Sequence, residues 1–260
     1  MTDYEGVILD VDGTIVLGSE LIPGAIEGIS ALEDASCSRL LFSNNPTRGS
    51  DHYGDKLDPH GIDVGPDTVL TSATVSASYL SETYDDERVF LVGGDRLASI
   101  LDEAGVSLTD EPAEAEVVLG SFDRAFSYEG LSAALDALEN GVPFYGTDPD
   151  ATIPVDGGTI PGSGAILAAM EAVAGREPDA ILGKPSSIAA SAAKRRLEID
   201  AEDTLVVGDR LDTDIALGEQ AGMTTALVLT GVTDRSAVAS SPVKPDYVLD
   251  SLADVERILE

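Results

Sequence analysis

Asp10 and Asp12, separated by one residue and followed at once by Gly13 and Thr14, are the side chains of this 260-residue chain best placed to do chemistry. Val7, Ile8 and Leu9 form an apolar, β-rich run bounded by a glycine-containing turn, which reads as a buried strand. Asp10 then falls at the carboxyl end of a strand, where open α/β sheets collect their ligands. Residues i and i+2 of an extended chain share a side, so both carboxylates can face one site. Held close, they repel unless one carries a proton or a cation lies between them. The pattern points to a Mg²⁺ site with one carboxylate left to do chemistry. An Asp-x-Asp-Gly that merely caps its turn is the competing reading. An EF-hand loop fails, because Leu21 stands where the bidentate glutamate belongs.

Three further strand ends carry polar residues. Leu40–Phe42 leads into Ser43-Asn44-Asn45, whose hydroxyl, amides and N–H groups could hold phosphate oxygens or could be a plain strand exit. Ala180–Leu182 leads through Gly183 to Lys184, one of four lysines, which could reach a phosphate or sit solvated at the surface. Thr204–Val207 leads through Gly208 to Asp209, placed to ligate a metal. Asp212 and Asp214 beyond it suit a helix N-terminus equally well.

The elements that must position these residues alternate: short apolar runs are separated by helical patterns such as Ala25–Asp34, Tyr128–Glu139 and Ser187–Leu197. Strand–helix alternation predicts an α/β fold built on a parallel sheet. Two polar stretches, residues 81–87 and 175–179, bracket a middle block with strands and helices of its own. The expected division is 1–83 and 178–260 as one discontinuous core, with 84–177 inserted between them.

In their order, Asp10-Val11-Asp12-Gly13-Thr14, Ser43, Lys184, and Gly208-Asp209 with Thr213-Asp214 resemble the four motifs of the haloacid dehalogenase superfamily of aspartate-nucleophile phosphatases. The resemblance covers nearly the whole chain and implies a Rossmann-like parallel-sheet core. Residues 15–42 are too few for a cap in the first slot, whereas 44–183 leave room for one in the second. A C2-type α/β cap domain is therefore implied. Ile22-Pro23-Gly24-Ala25, Ser43-Asn44-Asn45-Pro46, Thr147-Asp148-Pro149-Asp150, Pro161-Gly162-Ser163-Gly164 and Gly183-Lys184-Pro185-Ser186 are similar to subfamily IIA, which holds the NagD-type, 4-nitrophenyl phosphate and phosphoglycolate phosphatases.

The resemblance implies roles. Asp10 attacks phosphorus to form an aspartyl-phosphate, and Asp12 protonates the leaving group and then takes a proton from water. Mg²⁺ is held by Asp10, the Asp12 carbonyl and Asp209, while Asp214 holds a metal-bound water or the helix start. Ser43, Asn44 and Lys184 bind the phosphate. Loops around Thr147–Gly158 close over the leaving group, making Asp148, Asp150 and Ile153 specificity candidates, although Ile153 suits core packing equally well. Asp148 is a departure, since many relatives carry Asn there; it could alter leaving-group choice or accept a loop hydrogen bond. The implied partner is a small phosphorylated metabolite: phosphoglycolate, or a sugar, glycerol, pyridoxal or nucleotide phosphate. A homodimer joined through the cap is common among the relatives. A mutase-type phosphotransferase and a non-catalytic phospholigand-binding protein are the alternatives on the same fold.

Composition narrows the setting. With 48 acidic against 15 basic residues the net charge is −33, spread along the chain as a solvated skin. Nucleic acid is an unsuitable partner for such a surface. Few lysines with abundant Asp, Ala and Thr resemble proteins of salt-saturated cytoplasm, so a halophilic source, as in haloarchaea, is expected. No apolar run is long enough to span a membrane. The start Met-Thr-Asp-Tyr-Glu shows no secretory signal, and the lone Cys37 can form no internal disulfide; a cytoplasmic location is expected.

Overall fold

The computed structural model describes residues 4–155 and 158–259. The start of the chain, read above for a leader, and residues 156–157 of the expected closing loop lie outside the described residues. The fold has two compact units. The first is drawn from Met1–Ser43, Ser50–Leu70 and Ala189–Glu260, and the second from Asn44–Gly49 and Thr71–Ile188.

The first unit carries a six-stranded sheet in the order Tyr247–Leu249, Thr224–Val228, Thr204–Gly208, Gly6–Leu9, Ser38–Ser43, Val69–Thr71. Gly6–Leu9 runs parallel to both neighbours, with Leu9 level with Val207 on one side and Leu41 on the other. All four residues of Gly6–Leu9 are buried. A strand covered on both faces must be apolar throughout, which is why its sequence shows no alternation. Val7, Leu9, Leu41, Leu205 and Val207 share one core with Ala25, Ile29 and Leu32 of the helix Ala25–Asp34 and with Leu252 and Val255 near the C-terminus. Fully burying each such side chain stabilises the fold by about 1.5–3 kcal/mol.

The second unit has its own parallel sheet, ordered Ala180–Ile181, Phe144–Gly146, Val117–Gly120, Val89–Val92, Leu108–Thr109. Side chains alternate across it as the pleat demands. Val89, Val117, Leu119 and Tyr145 pack with Ala73, Ala77 and Leu80 of Ser72–Thr83 and with Leu97 and Leu101 of Asp95–Glu103. Phe90, Val118 and Phe144 pack on the opposite face with Ala134, Ala137 and Leu138 of Tyr128–Leu138 and with Ile166, Leu167 and Met170 of Ser163–Ala174. Thr152–Val155 and Gly158–Pro161 pair antiparallel as a separate hairpin.

The division therefore differs from the boundaries expected at 84 and 177. Helix Ser72–Thr83 belongs to the second unit because its alanines pack on that sheet. Ala180–Ile181, expected in the core sheet, pairs with Tyr145 and Gly146 instead. Polar composition marks surface chain, and surface chain need not coincide with a domain edge.

One glycine fixes how the first unit's helix packs. A Cβ on Gly28 would overlap the carbonyl of Leu252, so only glycine lets Ala25–Asp34 lie against that backbone. Gly28→Ala gains up to about 1 kcal/mol of helix propensity but should lose about 1–3 kcal/mol through overpacking. The expected result is a lower urea midpoint in molar KCl; a raised one would contradict the packing.

Candidate active site

The order of the first sheet reverses between Gly6–Leu9 and Thr204–Gly208, with later strands added outward on each side. Such a switch point leaves a crevice at the carboxyl ends. Asp10 and Asp209 are the first residues beyond those two strands, and the Asp10 N–H donates to the Val207 carbonyl at 2.9 Å. Past Asp209 the chain makes a wide π-type turn over Leu211–Ile215, which returns Asp214 to the same place. Carboxylate oxygens of Asp10, Asp209 and Asp214 lie within 4.8 Å of one another, and all three residues are buried.

Each ionised pair at that separation repels by on the order of 3 kcal/mol at an effective dielectric near 20. A hard divalent cation with oxygen ligands offsets this, and the donor set fits one. The surroundings are cut to accommodate these carboxylates. A Cβ on Gly13, whose φ is +100°, would lie 2.5 Å from Asp209 Oδ2. One on Gly231 would overlap the same carboxylate, and one on Gly208 would overlap that of Asp214. The Val232 N–H donates to Asp209 Oδ2 at 2.6 Å, the Arg210 N–H to Asp214 Oδ2 at 3.1 Å, and the Thr14 hydroxyl to Asp10 Oδ2 at 3.3 Å. Thr230 Oγ1 donates to the Gly13 carbonyl at 2.7 Å, joining the two loops that carry these groups.

Asp12 does not add its carboxylate to that trio; its Oδ1 accepts from Lys56 Nζ at 2.8 Å. Ser43 ends the strand beside Gly6–Leu9, and its buried Oγ accepts from the Tyr53 hydroxyl at 2.8 Å. Lys56 and Tyr53 stand one turn apart on the helix Asp51–Leu57.

Asn44 and Lys184 are brought together in the second unit. The Asn44 amide donates to the Lys184 carbonyl at 3.0 Å and accepts from its N–H at 2.9 Å, so this side chain is committed to backbone. A Cβ on Gly183 would press on the Thr147 carbonyl, Asn44 Oδ1 and Ser72 Cβ. Asp148 is buried at the base of the hairpin. Its Oδ2 accepts from Ser163 at 2.6 Å and Thr147 at 3.0 Å, and its Oδ1 from the Asp150 N–H at 3.2 Å. Burial, and next the charge of Asp150, push the Asp148 carboxyl up to about 7 against the pull of these hydrogen bonds. Ile153 lies half-buried in the hairpin opposite Ile160.

Sequence reasoning passed over Tyr53, Lys56, Gly231 and Val232. For Lys56 a signal was present, since lysines are so few. For the others only the three-dimensional arrangement speaks.

Comparison with known proteins agrees with this architecture. Residues 7–107 match the model of the haloacid dehalogenase-like hydrolases, and residues 181–255 match a second, HAD-hydrolase-like model. An acid sugar phosphatase of Staphylococcus saprophyticus is 35% identical over 260 residues, covering 100% of both chains. The p-nitrophenyl phosphatase from Archaeoglobus fulgidus superposes with a TM-score of 0.93 at 35% identity, over 99% of this chain and 100% of that one. NagD from Escherichia coli gives 0.87 at 30% identity over 98% of each. The chain belongs to the haloacid dehalogenase-like hydrolase family, in its NagD-type branch.

The Asp148 carboxyl carries a sign that can be tested. Because it is raised to about 7 in the fold, the folded chain holds a proton that the unfolded chain releases. That contribution is complete below about pH 4 and is lost as the pH rises through about 7. Asparagine can accept from the Asp150 N–H and donate to the two hydroxyls without carrying charge. Asp148→Asn should therefore unfold at higher urea than the parent at pH 8, with the advantage fading towards pH 4. Urea midpoints that stay parallel across that range would contradict the assignment.

Proposed function

We propose that this phosphoric monoester hydrolase cleaves small phosphomonoesters in two steps carried by Asp10 and Asp12, with Mg²⁺ as its ion. The observation that carries the reading is the buried trio Asp10, Asp209 and Asp214 at the sheet's switch point, with Asp12 two residues from Asp10. Relatives named for acid sugar and p-nitrophenyl phosphates support a shared phosphate chemistry with varied leaving groups.

In the first step an Asp10 oxygen attacks phosphorus while the bond to the leaving oxygen breaks. The bonding pair goes to that oxygen, which takes the proton from Asp12, giving alcohol and an aspartyl-phosphate. In the second, water attacks the same phosphorus and gives a proton to Asp12, and the bond to Asp10 breaks to restore its carboxylate and release phosphate. Held by Asp10, the Asp12 carbonyl and Asp209, Mg²⁺ would keep the nucleophile ionised and offset charge on the phosphoryl oxygens. The Thr14 hydroxyl orients Asp10 through Oδ2. Asp214, fixed by the Arg210 N–H, completes the anionic wall. Ser43, oriented by Tyr53, and Lys184, whose backbone Asn44 clamps, are the proposed phosphate contacts. The second unit is the proposed cap, its hairpin with Asp148, Asp150 and Ile153 choosing the leaving group. The lone Cys37 supports a cytoplasmic site of action.

Two outcomes test this. Asp10→Asn should abolish turnover of 4-nitrophenyl phosphate while leaving the far-ultraviolet circular dichroism unchanged; substantial residual turnover would remove Asp10 as nucleophile. Mg²⁺-dependent activity should also rise with KCl to about 1 M, where the Debye length is about 3 Å. The charge of −33 opposes a dianionic substrate until it is screened, so full activity at low salt would count against a salt-adapted surface.

A further inference from the structure

We infer that Lys56 is a positioning residue, holding Asp12 in the geometry from which it protonates the leaving oxygen. This rests on the phosphatase reading above and extends it to a helix outside the four motifs.

Lys56 has no acidic neighbour one helical turn away to pair with. The residues three and four positions away are His52 and Tyr53 on its helix and Pro59 and His60 just beyond its end, none of them acidic. It reaches instead across 44 positions in sequence to Asp12, with Nζ 2.8 Å from Oδ1. Its side chain is 18% exposed and that of Asp12 43%. So exposed an ion pair adds little to stability. What it does supply is order. Asp12 lies beyond the strand, its backbone bridged to Val16, and its exposed carboxylate would otherwise sample several rotamers. A proton donor must sit within hydrogen-bond reach of the oxygen it protonates, and small misplacement is costly. Lys56 engages Oδ1 and so fixes how the carboxylate presents Oδ2.

The lysine is itself held. Its Nζ lies 5.8 Å from the centroid of the Tyr53 ring, within cation–π range. Tyr53 is fully buried, and its hydroxyl donates to Ser43 Oγ. One short helix thus sets the Asp12 carboxylate and the Ser43 hydroxyl together, at the ends of adjacent strands. In the step concerned, the P–O bond breaks with its pair going to the leaving oxygen and the proton comes from Asp12 Oδ2.

The test compares two aryl esters of similar shape, phenyl phosphate and 4-nitrophenyl phosphate. Nitrophenolate departs readily without a proton, whereas phenolate benefits from one. For Lys56→Met, kcat/KM should fall about tenfold or more on phenyl phosphate, within the range of general-acid contributions, and clearly less on 4-nitrophenyl phosphate. Lys56→Arg should restore most of the difference. In an Asp12→Asn background, adding Lys56→Met should cost little more, with thermal midpoints in high KCl verifying that each variant is folded. Equal losses on both esters, or a further full loss in the Asp12→Asn background, would overturn the inference while leaving the phosphatase reading intact. Absence of turnover of either ester by the parent enzyme would overturn the reading itself, and the inference with it.

Discussion

The mutual repulsion of Asp10, Asp209 and Asp214, confined within 4.8 Å and out of water, is the constraint around which the first unit is built. Nothing in hydrophobic packing favours such a cluster. It persists because the sheet's switch point sets two strand ends side by side and the π-type turn after Asp209 brings a third acid back to them. Gly13, Gly208 and Gly231 stand where a side chain would strike the carboxylates of Asp209 and Asp214, and backbone N–H groups point at the same two. A divalent cation turns the arrangement from a liability into a binding site.

Asp148 shows a different solution to burying an acid. There two hydroxyls and a backbone N–H surround one carboxyl, and the like charge of Asp150 acts on it. The fold meets this by raising the carboxyl's proton affinity. The first unit therefore presents its buried acids as a donor set suited to a cation, and the second raises the proton affinity of its buried acid. Both economies operate inside a molecule whose 48 acids otherwise remain a matter of solvent and salt.

Strand ends were the legible part of the fold. Val7–Leu9, Leu40–Phe42 and Thr204–Val207 are buried on both faces, so continuous apolar runs announce them, and the polar residue after each run stands out. The two hairpins were not legible. Val16–Leu17 and Glu20–Leu21 are too short for periodicity to register, and in the second hairpin Thr152 and Val155 are exposed. The pairing of Ala180–Ile181 is not legible either, because a two-residue strand fits either sheet equally well by composition. Its placement is decided by register against Phe144–Gly146.

By itself the sequence determined which chemistry the chain can perform. Asp-x-Asp after an apolar run, then Ser, Lys and Asp at later strand ends, is a local pattern set by side-chain period and strand length. Tertiary structure alone decided how the carboxylates share the work. Asp214 joins the anionic cluster, Asp12 turns to Lys56, and Asn44 is committed to the backbone of Lys184. The physical reason is range. Periodicity reports on neighbours a few residues apart, whereas these contacts join residues that only the closed sheets and packed helices bring within hydrogen-bond distance.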